Sequence, residues 1–385
     1  MFAVMLREFR LLLRSPALAG LVVLLPLLMI ALLSGIFRAG IPTGMAVAVV
    51  DLDRSHLSRS VTRMLDAAPE LQVTHQALSL SEARALIVSG DVRGAIYLPQ
   101  GLERDVTRGE RPEIVTFYDN QHMSAGSLVA RGARNAIDTA LAGLRLSIRQ
   151  GQGEPTVQAQ VSIQPIALQS HALFNPAFDY VHFLLAALVP TVLQIIAAAG
   201  TAYAVSLDFG PGRHPQVLAR MAGGVLPAML GKILPYTCVF LLILGLSDIL
   251  LYGLLAVPLR GSLPLMAVGA VMFVLAAQLI GALAFVVTRD MGRAASIIAV
   301  ITAPAFGFMG LGFPRDAMAP LAQAWGAVIP GTWYVELRID QSLRATPVDL
   351  SLTPLLWLAC IAGVLAALML VQLLRLQRGI NRPLK

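Results

Sequence analysis

Few residues in this chain have the type and spacing that chemistry needs. Asp51-Leu52-Asp53 is the nearest thing to a metal-binding pair, because it closes a β-rich run, Ala46–Asp51, at the place where α/β domains hold ligands. Two carboxylates underfill a Ca²⁺ or Mg²⁺ shell, so Asp53 or Ser55 is expected to cap the following helix instead. Gly231-Lys232 resembles the end of a phosphate-binding loop, but Leu226 stands where the first Gly belongs and Ile233 where Ser or Thr belongs. No Walker A occurs elsewhere, so neither ATP hydrolysis nor any other cofactor is expected in this chain. The six histidines have no ligand spacing and no Ser/His/Asp set can be read, so catalytic and metal sites are not expected either. What remains is polar chemistry inside apolar surroundings: Asp248, Gln194 and Gln278. An acid within a membrane run is a functional residue by default. Asp248 would face a water-filled path or the outer interface; proton coupling is the sharper alternative. The two glutamines suit hydrogen bonds between helices. Cys238 and Cys360 fall in apolar runs and are expected to be buried, inert thiols.

The elements that must position these residues are apolar and long. The chain is 57% hydrophobic and 13% charged, with mean hydropathy +0.73, which is a membrane composition. Six runs approach or exceed the roughly 20 residues that cross a bilayer as helix. They are Ala17–Phe37, Phe178–Val205, Ile233–Val257, Leu263–Thr288, Ala294–Phe313 and Pro354–Leu374. The expected fold is a polytopic α-helical membrane protein with six transmembrane helices and an inserted α/β extracytoplasmic domain. Residues 1–14 form an amphipathic interfacial helix, with Phe2, Met5, Leu6, Phe9, Leu12 and Leu13 on one face and Arg7, Arg10 and Arg14 on the other. A transmembrane helix follows over 17–37, retained rather than cleaved. The inserted domain occupies 39–177, the other five helices 178–374, and a tail 375–385.

Orientation follows from cations. Arg7, Arg10 and Arg14; Arg213, Arg220 and Lys232; Arg289 and Arg293; and Arg375, Arg378, Arg382 and Lys385 share one side of a six-span topology. That side is cytoplasmic, with both termini. The basic balance of +7 therefore points to lipid headgroups rather than nucleic acid. The inserted segment is nearly neutral, with 12 basic and 13 acidic residues over 39–177. Strands are expected at Ala46–Asp51, Leu71–Thr74, Gly94–Leu98 and Ile114–Tyr118, with an extended run at Val157–Ile166. Helices are expected at Ser55–Ala67, from a capping box at Ser79 to about Ser89, and over Ser124–Arg149. This alternation predicts a mainly parallel sheet. In the fifth run, Pro304 and three glycines break the helix, and the segment near 314–330 is expected to re-enter the outer leaflet without crossing, with Trp325, Trp333 and Tyr334 as an interfacial belt.

This plan resembles that of ABC-2 type exporter permeases, of the subgroup with a large extracytoplasmic domain between the first two helices. The resemblance covers nearly the whole chain and rests on VAVVDLDRSHLSRSV (Val47–Val61), SLSEARALIVSGDVRGAIYLP (Ser79–Pro99) and APAFGFMGLGFPRDAMAPLAQAWGAVIPGTWYVELR (Ala303–Arg338). The joint SLDFGPGRHPQVL (Ser206–Leu218) departs from the Glu-rich pattern of that family, and only Gly231-Lys232 is kept. The resemblance implies a non-enzymatic transport subunit. Its partners would be a cytoplasmic ATPase that binds the ATP, a second permease chain (the same or a different one), membrane lipid and a periplasmic adaptor. Contacts that receive the ATPase stroke would come from Arg7, Arg10, Asp208, Arg213, His214, Arg220 and Lys232. The transport path would run past Gln194, Asp248, Gln278, Phe306, Phe308 and Met309, whose apolar walls suit a lipid-like or amphiphilic cargo. Two other readings are a secondary transporter coupled through Asp248, and a membrane receptor whose external domain binds a ligand.

Overall fold

The computed structural model describes residues 1–110, 112–121, 123–151, 173–176 and 179–380. Two compact units emerge, one holding Met1–Gly40 with Ala172–Lys385, the other Ile41–His171. The extended run expected at Val157–Ile166 lies outside the described residues.

In the first unit, α1 (Phe2–Arg14) ends at Ser15-Pro16, where Ser15 caps the next helix through its side chain. The first span is α2 (Pro16–Phe37), continuous except for a wide π-type turn at Gly20–Leu24. Among its described residues the inserted unit holds a four-stranded sheet, order β2-β1-β3-β4, built from β1 (Met45–Asp51), β2 (Leu71–Gln76), β3 (Gly94–Leu98) and β4 (Val115–Tyr118). The first three strands are parallel; β4 pairs antiparallel with β3. Strand β1 is central, and its alternation feeds two cores. Val47 and Val49 pack with Ile96 and Leu98 under α3 (His56–Ala67), while Ala48, Val50 and Ala95 pack under α4 (Leu80–Ser89). A strand covered on both faces must be apolar throughout, and residues 47–50 are all buried. A short helix, α5 (Leu102–Thr107), follows β3, and the long α6 (Met123–Gly151) covers the α3 face through Val129, Ala133 and Ala136.

The two aspartates at the end of β1 are structural. Asp51 accepts hydrogen bonds from the Asp53 and Arg54 N–H groups and from Ser58 Oγ, at 3.0, 2.8 and 2.8 Å. Ser55, not Asp53, caps α3. Asp53 instead reaches across to accept from the Gly101 and Glu103 N–H groups at 2.8 and 3.1 Å, so it caps α5 and ties the two loops together. Partial burial by itself would push the Asp53 carboxyl up, but the bonds from Ser55 and from those backbone N–H groups outweigh it and hold the group below its ordinary value.

The spans of the other unit continue with α7 (Val181–Phe209), a short α8 (Pro215–Ala222), α9 (Val225–Leu254), α10 (Leu263–Thr288), α11 (Met291–Phe308), α12 (Pro320–Ala327), α13 (Pro330–Ile339) and α14 (Val348–Ile380). Six of these helices, α2, α7, α9, α10, α11 and α14, are long and apolar enough to cross a membrane. Helix α9 begins eight residues before the expected run, because Lys232 lies inside the helix rather than at its boundary. The middle of the bundle is the α7–α10 crossing. Any side chain on Gly281 would run into the Ala198 carbonyl, and Ala197, Ala198, Ala202, Ala276 and Ala277 are buried around it. Close helix approach through small residues is how packing is won where no hydrophobic drive exists between helices.

Two expectations fail here. Trp333 and Tyr334 form no interfacial belt: Tyr334 stacks on Phe273 with ring centroids 4.5 Å apart, Trp333 stacks on Trp357 at 4.9 Å, and both are buried. Their helix, α13, is packed into the bundle, so aromatic amphipathicity served the core and not the headgroups. Cys238 and Cys360 are exposed on the outer faces of their spans rather than buried. On α1, the face that packs on the protein is Val4, Glu8 and Leu12, while Phe2, Leu6, Phe9 and Leu13 stay exposed.

Two predictions follow from this packing. Gly281→Val should force α7 and α10 apart and lower the thermal unfolding midpoint by several degrees in detergent, while Gly363→Val, in open space on α14, should leave it within a degree or two. Because Asp53 is held below its ordinary pKa of 3.8, its contribution is fully present above that value and lost as pH falls through the lowered one. Asp53→Asn should therefore reduce the stability of the chain at pH 7, with the gap to wild type closing in the acid limb of a melting series.

Candidate functional site

Lys232 sits about two turns into α9 and is fully buried. An ammonium there needs counter-charge, since leaving it unpaired in an apolar interior costs several kcal/mol. Two acids supply it. Glu8 Oε2 on α1 lies 2.8 Å from Lys232 Nζ, and Asp208 Oδ2 at the end of α7 lies 2.5 Å away. Arg7 completes the set, with Nη2 at 2.7 Å and Nη1 at 3.0 Å from the two Asp208 oxygens, and with Nη1 2.8 Å from Glu8 Oε1. The Tyr236 hydroxyl donates to Glu8 Oε2 at 3.0 Å. Two cations and two anions thus neutralise one another. The Arg7–Asp208 bond holds the Arg7 guanidinium above its ordinary pKa, against the opposing pull of burial.

The neighbouring glycine explains why the cluster can close. A Cβ on Gly231 would sit 2.8 Å from the Met1 carbonyl and 3.1 Å from Val4 Cβ, so α1 lies directly on α9 at this residue. Gly231-Lys232 therefore serves as a seat and an ionic socket for α1, not as a phosphate loop. The Met1 amino group also donates to the Ala222 carbonyl at 3.3 Å, which joins α1 to the end of α8. Arg289, in a left-handed conformation after α10, donates from Nη1 to the Phe209 carbonyl at 3.1 Å. Helices α1, α7, α8, α9 and α10 are thereby tied at one end of the bundle.

The structure divides the sequence-predicted residues. Arg7, Asp208 and Lys232 come together, but Asp208 and Lys232 are inside the cluster rather than on a docking surface. Arg10, Arg213, His214 and Arg220 are exposed around it, the last three on the α7–α8 turn and α8. Glu8 is the residue that sequence reasoning missed. Its signal was the spacing Val4, Glu8, Leu12, which puts an acid in the middle of a protein-facing stripe.

Of the transport-path candidates, Gln194 and Met309 both border Gly331. Gln194 Oε1 accepts from the Gly331 N–H at 2.7 Å, and Thr191 Oγ1, one turn away on α7, lies 3.4 Å from the Met309 sulfur. Phe308 packs with them on the same side, its carbonyl beneath Gly326. Gln278 accepts from Thr237 Oγ1 at 2.7 Å and ties α10 to α9. Phe306 is half-buried and joins none of these contacts. Asp248 faces neither a free path nor an open interface alone: its Oδ1 lies 2.7 Å from Nη1 of Arg338, a guanidinium that is 1% exposed and flanked by Tyr252 and Tyr334 at 5.7 and 5.6 Å. Among the described residues no group of three or more His, Cys, Asp or Glu side chains could hold a metal ion.

With this geometry in place, comparison with known proteins is direct. Residues 19–371 match the family model described as ABC-2 family transporter protein. The inner membrane transport permease YhhJ of Escherichia coli is 25% identical over 342 residues, covering 87% of this chain and 86% of that protein. The probable multidrug ABC transporter permease YbhS of Escherichia coli is 23% identical over 338 residues, covering 86% and 85%. No solved structure matches the chain. Six apolar spans, an inserted α/β domain and a family match over nearly the full length lead to one conclusion: this chain belongs to the ABC-2 family of transporter proteins.

Proposed function

We propose that this chain is the membrane subunit of an ATP-driven exporter, and that the Arg7–Glu8–Asp208–Lys232 cluster passes the stroke of a separate cytoplasmic ATPase to the spans. The cluster is the observation that carries the reading. A helix lying across the end of a bundle transmits force only where it is fixed to the spans, and α1 is fixed to α7 and α9 by four charged groups buried to different depths. Arg10, Arg213, His214 and Arg220 remain exposed at the same end and are available to a docking partner. In this reading both termini are cytoplasmic, which agrees with the gathering of Arg7, Arg289 and the α8 turn at one end. The inserted domain then lies outside. ATPase closure tilts the spans of two facing permease chains between discrete arrangements.

Cargo would be amphiphilic. An apolar groove of about 420 Å³ runs between α10, α12 and α14, walled by Trp325, Val328, Trp357, Ile361 and Leu365. Polar side chains are nearly absent from it, which suits a lipid-like or drug-like body better than an ion. The relative described as a probable multidrug permease agrees with such a cargo. Secondary transport through Asp248 is less well supported, since an acid paired to a buried arginine is not free to take up a proton without stranding that charge.

Deleting the cognate ATPase should abolish export of an amphiphilic dye from inverted vesicles; full export without it would refute the reading. Lys232→Met leaves two acids facing one arginine and should cut ATP-driven export by at least tenfold while the ATPase still co-purifies. Arg220→Glu, on the exposed face of α8, should instead weaken co-purification itself. Loss of the complex in both variants would mean that the cluster is only part of the docking surface.

A further inference from the structure

The inserted α/β domain carries a cleft that transport through the spans does not use. About 470 Å³ in volume, it opens at the carboxyl ends of β1 and β2, between α3 and the loop that leads to α4. Carboxyl ends of parallel strands are where α/β domains place their ligands, and the volume is in the range of small-molecule sites. Its walls are of two kinds. Val49, Ala77 and Leu78 make an apolar side, and Arg54, Arg59 and Arg63 make a cationic one. Arg59 and Arg63 are one turn apart on the same face of α3. Arg54 stands on the preceding turn, in a left-handed conformation at φ +52°, and its carbonyl accepts from Arg59 Nη1 at 2.7 Å, which fixes the Arg59 side chain.

The charge of this cleft is not balanced from within. Among the described residues none of the three arginines has a carboxylate in ion-pair range. Asp51 is the one acid among the described residues of the lining, and its two oxygens already accept three hydrogen bonds, from Asp53, Arg54 and Ser58. Glu82, beside Leu78, is likewise engaged with the Leu78 N–H at 2.7 Å. A cation would be repelled here, and a neutral ligand would leave three guanidinium groups unused. Guanidinium groups are the side chains best shaped to take phosphate or carboxylate oxygens in pairs.

We infer that this cleft binds an amphiphilic organic anion, a phosphate- or carboxylate-type head against Arg54, Arg59 and Arg63 with a short apolar body against Val49 and Leu78. The inference stands on the inserted domain alone and does not depend on the direction or energy source of transport. The head could belong to a free metabolite or to a lipid, and the test separates these.

Full-length chain in nanodiscs of zwitterionic lipid would be titrated calorimetrically with butyl phosphate. Saturable binding at one site per chain is expected, weaker with inorganic phosphate and absent with butanol. Arg59→Gln and Arg63→Gln should each weaken it by about tenfold, and Arg59→Lys less so. Arg84→Gln, an exposed arginine of the same domain outside the cleft, should leave it unchanged. Competition by phosphatidylglycerol added to the discs assigns the head to a lipid; no competition assigns it to a free anion. Both glutamine variants replace exposed side chains, so matched thermal midpoints certify folding. No saturable binding by the wild type, or equal weakening by Arg84→Gln, would overturn the inference.

Discussion

A lysine with no solvent exposure sets the terms for one end of this molecule. Lys232 is carried into the bundle by α9, and an ammonium there is tolerable only beside anions. Glu8 and Asp208 come from opposite parts of the chain to meet it, and Arg7 returns the set to neutrality. From this requirement the rest of that end follows. Helix α1 must lie on α9, which needs the bare backbone of Gly231; the end of α7 must approach α9, which brings α8 with it.

Farther along α9 the same physics recurs with a different pairing. Asp248 lies about 24 Å from Lys232 along the helix and meets Arg338 from α13. It stands just before the wide turn Ile249–Leu254 that ends the span, at a position where helix widening commonly accompanies function. Arg338 keeps Nε and Nη2 without hydrogen-bond partners among the described residues, so this second pair is less completely satisfied than the first. Between them, Gln278 ties α10 to α9 through two hydrogen bonds and Gln194 holds α13 through one, and the α7–α10 contact relies on small side chains. The bundle is thus pinned by charge at two depths and by close packing in the middle.

Much of this was legible from residues alone, for identifiable reasons. Span length and apolarity give six membrane helices, and the alternation of AVAVVD gives a central strand. Where reading stopped short, a local pattern was ambiguous. Lys232 looked like the boundary of a run because a charge usually is one; only its partners show that the helix continues through it. Glu8 was hidden among Arg7, Arg10 and Arg14, and the apolar face of α1 was read as a single stripe although Val4 and Leu12 face protein while Phe2 and Leu13 do not. Trp333 and Tyr334 have the chemistry of an interfacial belt, yet α13 packs them on Phe273 and Trp357. Asp53 was one of two candidates to cap α3, but the partner it caps, α5, is a six-residue helix too short to leave a periodic signal.

The central claim is that Glu8 and Lys232 act as one interacting unit that fixes α1 to the spans. A double-mutant cycle tests it most directly: unfolding free energies of Glu8→Gln, Lys232→Met and the double variant, measured with the full chain in the same detergent. Each single change should cost about 3–5 kcal/mol, and the double change clearly less than the two together, because it leaves no stranded charge at this contact. Additive costs would contradict the account and reduce the cluster to independent neighbours.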